Sequence, residues 1–179
     1  MLNATTGAHV RTIGTGTEGD AVGQFDYPSG VCLGPAPGGG DQLLYVSDES
    51  NNRVQVLNAT TGAHVRTIGT GVSGNAVGQF SSPAGVCLGP APGGGGGDQL
   101  LYVAEWSNHR VQVFNAITGA HVRMIGTGTE GNAVGQFNSP VGVYCLSIPG
   151  REEPLLYVSE YNGHRVQVFN AISGTPVVA

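Results

Sequence analysis

Short apolar runs separated by turn-forming clusters recur along the whole chain. The first set reads "GVCLG", "LLYVS", "RVQVL" and "AHVRTIG", with "GPAPGGGDQ", "DESNN" and "NATTG" between them. The runs are rich in β-branched residues, and "RVQVL" alternates with period two, as a strand does. No segment carries an apolar period of 3.6 residues, so the pattern predicts strands and turns throughout.

The set then repeats. "LNATTGAHVRTIGTG" begins at Leu2 and again at Leu57, "FNAITGAHVRMIGTG" at Phe114 and "FNAISG" at Phe169, with spacings of 55, 57 and 55 residues. A fixed period of this size marks stacked units, and four short antiparallel strands per period describe a β-propeller blade. The expected fold is all-β. It has blades at 29–70, 84–127 and 141–179, preceded by residues 1–13 as the outermost strand of a preceding blade.

"GTGTEGDAVGQF", with Gly14, Gly16 and Gly19, fits the G-x-G-x-x-G of a dinucleotide-binding turn. Such a turn must open a helix whose first amides hold the phosphate. Here Gly23, Pro28 and Gly30 follow, which bars a helix. The phrase returns at Gly69 and Gly126 and reads as the connection between consecutive blades, so no cofactor is expected.

Three stretches resemble the NHL repeat: "GQFDYPSGVCLG" with "LLYVSDESNNRVQVLN", "GQFSSPAGVCLG" with "LLYVAEWSNHRVQVFN", and "GQFNSPVGVYCLS" with "LLYVSEYNGHRVQVFN". The resemblance covers almost the whole chain and implies a propeller, in that family usually of five or six blades. This chain departs from the pattern in its long "GPAPGGGGGDQ" turn and in having three repeats. Three blades do not close a ring at ordinary blade twist. Two arrangements are open. The chain is a piece of a longer propeller, or two chains form a homodimer of six blades. In the homodimer, "GAHVRTIG" of one chain completes the third blade of the other and covers its open edge. The last outer run, "TPVVA", lacks the "HVRTIG" character.

Composition narrows the classes. The chain has 179 residues, 40% of them hydrophobic, which suits one domain or one closed array. No apolar run approaches the roughly 18 residues of a membrane span, and the N-terminus lacks an export signal, so a cytoplasmic protein is expected. Net charge is −5 and all seven basic residues are Arg, which argues against a nucleic-acid-binding stripe. Cys32, Cys87 and Cys145 form no C-x-x-C pair and read as buried free thiols.

Candidate chemistry gathers on the loops after the second strands, which share a face with the glycine connections. Asp48, Glu105 and Glu160 stand five residues before Arg53, Arg110 and Arg165, a spacing that suits a structural ion pair in each hairpin. The next position varies, as Glu49, Trp106 and Tyr161, among nearly constant neighbours. So do the positions before each opening proline: Asp26 and Tyr27, Ser81 and Ser82, Asn138 and Ser139. Asn52, His109 and His164 precede the arginines. These residues make a mixed acidic, polar and aromatic face suited to a protein or peptide. His9, His64 and His121 lie on outer strands, whole blades apart, and cannot converge on one metal ion. Gln55, Gln112 and Gln167 read as structural amides linking blades, and Asn3 and Asn58, in N-A-T, as hairpin-turn residues.

The expected function is a non-catalytic scaffold for protein or peptide binding. NHL proteins include ubiquitin ligases of the tripartite-motif kind, so the resemblance implies a substrate-recruiting role in a larger protein. The alternatives are a fragment of a propeller enzyme, similar to the amidating lyase or the lactonases, and an RNA-binding propeller.

Overall fold

Each turn cluster of the sequence reverses the chain, and the apolar runs between them pair with their neighbours. In the computed structural model, which describes residues 5–92 and 99–178, three antiparallel sheets follow one another. The first contains β1 (Pro28–Gly34), β2 (Leu43–Asp48), β3 (Arg53–Asn58) and β4 (His64–Ile68), paired in that order. The second contains β5 (Pro83–Pro90), β6 (Gln99–Glu105), β7 (Arg110–Asn115) and β8 (His121–Ile125). The third contains β9 (Pro140–Leu146), β10 (Leu155–Glu160) and β11 (Arg165–Asn170). The first strands lie side by side, β1 against β5 and β5 against β9, so the sheets fan out as blades from a common inner edge. The long turn between β1 and β2 holds one 3₁₀ turn at Pro37–Gly39; the glycine run of its counterpart lies outside the described residues.

Two expected strands differ. The third blade has three strands, and its fourth is reduced to a bridge between Phe169 and Pro176, followed by Val177 N–H donating to Val168 O at 2.8 Å. Pro176 stands where the other blades have His64 and His121, and a proline has no N–H for the ladder. Residues 5–13 form no strand either, although residues 9–13 repeat the sequence of β4. No described residue before them offers an edge equivalent to β3, and a strand needs an edge to pair with.

Apolar side chains fill the space between blades. Tyr45, Val54 and Val56 of the first blade meet Val86, Leu101, Val103 and Phe114 of the second. Tyr102, Val111 and Val113 of the second meet Leu156, Val158 and Phe169 of the third. A tyrosine hydroxyl crosses each junction: Tyr45 donates to Ala116 O at 3.1 Å, and Tyr102 to Ala171 O at 2.8 Å. Burial raises both tyrosine pKa values. The thiols share these junctions. Burial pushes Cys145 up to about 11, Cys32 up to about 12 and Cys87 further.

The glycine connections lie flat on the blades they lead into. In the second and third blades the Phe of G-Q-F packs against the third strand, with Phe80 and Phe114 centroids 5.4 Å apart and Phe137 and Phe169 5.3 Å apart. This approach needs glycine. A Cβ on Gly69 (φ 99°) would come within 2.7 Å of the Phe80 ring, and one on Gly126 (φ 95°) within 2.6 Å of Phe137. Asn58 holds its hairpin by accepting the N–H groups of Thr60 and Thr61 on Oδ1, at 2.9 and 2.7 Å; Asn3 lies outside the described residues.

Candidate functional site

The loop after the second strand is built on a buried acid. In the second blade Glu105, fully buried, accepts from Arg110 Nε at 2.6 Å, Gln112 Nε2 at 2.9 Å, Asn108 Nδ2 at 2.5 Å and Ser81 N–H at 3.0 Å. Arg110 reaches on to the carbonyls of Asn75, Ala76 and Gln79, and Gln112 donates to Gln79 O while accepting Gly78 N–H. The first blade makes the same network from Asp48, Arg53 and Gln55, with Arg53 Nε 2.7 Å from Asp48. The third makes it from Glu160, Arg165 and Gln167, again with a 2.7 Å ion pair.

Acid, arginine and glutamine therefore form one unit that clasps the preceding glycine connection onto its blade. The five-residue spacing brings each pair together across the end of a hairpin. It does not reveal that the pairs are buried, with Asp48 and Glu105 both 0% exposed. The glutamines bind the connection, not the neighbouring blade's strands. The connections also turn carbonyl oxygens toward a guanidinium, the opposite polarity to a phosphate cradle, which presents N–H groups.

Above this unit the backbone is strained at repeated places. Tyr27, Ser82 and Ser139 have φ of 52°, 51° and 55°, and Asn52, His109 and His164 have φ of 48°, 49° and 48°. Left-handed backbone is uncommon outside glycine, and all six non-glycine cases among the described residues fall on this one face. Two of them join blades: Asn52 Oδ1 accepts Ser82 N–H at 3.2 Å, and His109 Nδ1 accepts Ser139 N–H at 3.2 Å. Asp26, Ser81 and Asn138 are not free for a ligand through their backbone, because each donates its N–H to the buried acid.

The variable position rides on the rim of the same loops. Glu49, Trp106 and Tyr161 donate their N–H groups to Tyr27, Ser82 and Ser139 respectively. The rings of Trp106 and Tyr161 meet across the junction of the second and third blades, with centroids 4.9 Å apart and planes at 42°. Tyr161 is 63% exposed and Tyr27 74%. Ser107 Oγ donates to Ser82 Oγ, and Asn162 Nδ2 donates to Ser139 Oγ. Among the described residues, no group of three or more His, Cys, Asp or Glu side chains is placed to hold a metal ion, and no helix is long and apolar enough to cross a membrane.

This architecture, four-stranded blades fanned around an inner edge, is that of a β-propeller segment. Its repeats are consistent with the NHL repeat family. The chain is 34% identical over 82 residues to NHL repeat-containing protein 2 of Bos taurus, across 42% of this chain and 10% of the relative. It is 32% identical over 82 residues to the protein of the same name in Homo sapiens, also 10% of that relative. The chain thus matches about a tenth of the length of these curated relatives. No family profile matches it. Among solved structures, BBS1N in complex with ARL6DN superposes with a TM-score of 0.57 at 12% identity, over 86% of this chain and 44% of that one. The RRP9 WD40 repeats give 0.50 at 14% identity, over 82% and 35%. At these identities the likeness is one of fold.

Proposed function

We propose that the chain is a non-catalytic propeller scaffold whose loop face binds a protein or peptide. The observation that carries this reading is the Trp106–Tyr161 ring contact, set on positions that vary while the network beneath them is repeated. Rigid loops with exposed aromatic side chains supply contact area at low entropic cost, as binding anchors do. Tyr27, Glu49, Asn52, His109 and His164 give this patch polar and acidic neighbours, suited to a partner with apolar and basic groups.

The carboxylates beneath the face support a binding role over catalysis. Asp48, Glu105 and Glu160 are each committed to an arginine and a glutamine, which leaves none of them free as a base or nucleophile. The propeller neighbour solved as BBS1N with ARL6DN is a fold relative that holds a protein partner.

Selection of peptides from a random displayed library tests the reading. Peptides that bind the chain should lose at least about tenfold in affinity, or about 1.4 kcal/mol, on Trp106→Ala or Tyr161→Ala, with folding stability changed little. Selected peptides that bind both variants as tightly as the unaltered chain would refute the assignment of this face.

A further inference from the structure

The surfaces that join the blades are used twice inside the chain and left over once at each end. Tyr45, Val54 and Val56 are a trailing face that packs on the leading face of the next blade. Their counterparts in the third blade are Tyr157, Val166 and Val168, and Val166 is 58% exposed where Val54 and Val111 are 0%. At the other end, Val31 is 65% exposed where its counterpart Val86 is 6%. Val31, Leu33, Leu44 and Ala59 line an apolar hollow of about 340 Å³. They correspond one for one to Val86, Leu88, Leu101 and Ala116, the side of the junction on which Tyr45 lies with its hydroxyl on Ala116 O.

We propose that a second copy of this chain fills both ends, its first blade on the third blade here and its third blade on the first, closing a ring of six blades from two chains. Tyr157 of each copy enters the hollow of the other and donates to Ala59 O, repeating the bond made by Tyr45 and Tyr102. His164 accepts Tyr27 N–H of the other copy, as His109 accepts Ser139 N–H. A head-to-tail contact of this type either closes or runs on as a filament. Two matched junctions close it.

The segment before the first blade fits the same arrangement. A Cβ on Gly62 would lie 3.5 Å from Ile13 Cγ1, as one on Gly119 would lie 3.5 Å from Ile68 Cγ1 and one on Gly174 3.1 Å from Ile125 Cγ1. Residues 9–13 therefore already sit against the first blade where a preceding blade's outermost strand runs. In the ring they become the fourth strand on β11 of the other copy. They displace residues 176–178, which hold that edge through one bridge at a proline and the Val177 N–H bond to Val168 O.

This inference is independent of whether the loop face binds a peptide, and its test reads mass alone. Sedimentation equilibrium of the chain should give twice 18.2 kDa. Val31→Glu and Val166→Glu alter exposed positions of the single chain, so each should keep its strand circular dichroism. Each should raise the dimer dissociation constant at least about a hundredfold by placing an unpaired carboxylate in a junction. An equimolar mixture of the two variants keeps one sound junction and should recover dimer that neither forms alone. Removal of residues 175–179 should leave the dimer intact. A monomer at about 100 µM, open chains of larger mass, or a dimer indifferent to V31E or V166E would each overturn the proposal. The monomer would assign the open faces to another polypeptide or to further blades.

Discussion

His109 Nδ1 accepts the backbone N–H of Ser139 at 3.2 Å, a bond from the loop of one blade to the residue that leads into the first strand of the next. In the first junction Asn52 takes the same role toward Ser82. Both acceptors have left-handed backbone, which asparagine tolerates well among residues with a Cβ.

His109→Asn should therefore change stability by less than about 1 kcal/mol. His109→Val loses the acceptor and puts a β-branched residue at φ 49°, which should cost about 2–4 kcal/mol. Urea unfolding of the two variants checks the contrast. Equal losses would show that the bond and the backbone conformation contribute little.

Glu105→Ala should be among the most damaging single changes in the chain. It leaves a buried guanidinium without its counter-charge, takes one acceptor each from Gln112 and Asn108 and unpairs Ser81 N–H, at about 3–5 kcal/mol. Glu105→Asp should be far milder, since Asp48 serves the same network in the first blade. Thermal melts of both variants read the difference directly.

Gln112→Leu keeps the volume roughly but leaves Gly78 N–H without its acceptor and takes one donor each from Gln79 O and Glu105. The expected loss is about 2–3 kcal/mol. Because the amide holds a connection and faces no ligand, peptide affinity should not change. A variant with unaltered stability and weakened binding would reverse this assignment.

The thiols should resist alkylation in the folded chain. With Cys145 near 11 and Cys32 near 12, the thiolate fraction at pH 8 is about a thousandth or less. The rate should rise with pH for each unit up to those values, and jump on addition of urea. Rapid labelling of the native chain at pH 8 would show that these junctions open readily.

Most of the fold was legible because the repeat states each strand three times. The pairs Asp48–Arg53 and Glu105–Arg110 were visible in their spacing, since a four-residue loop leaves their side chains little choice of direction. Their burial was not visible. It depends on the glycine connection folding back over the hairpin, a contact about thirty residues away along the chain. Residues 9–13 mark the limit from the other side. "HVRTI" is a strand at 64–68 and none at 9–13, because pairing with β3 decides it and local preference does not. The strain shared by Tyr27, Ser82 and Ser139 left no signal either, since nothing in those residue types announces a left-handed backbone.

Each acid–arginine–glutamine clasp closes on atoms of a single period: its own hairpin and the connector just upstream. A duplication that copies one period thus copies a complete lock together with its key. Tandem growth or shrinkage of such a gene need not redesign any polar contact, and the cost of changing the count falls on curvature alone.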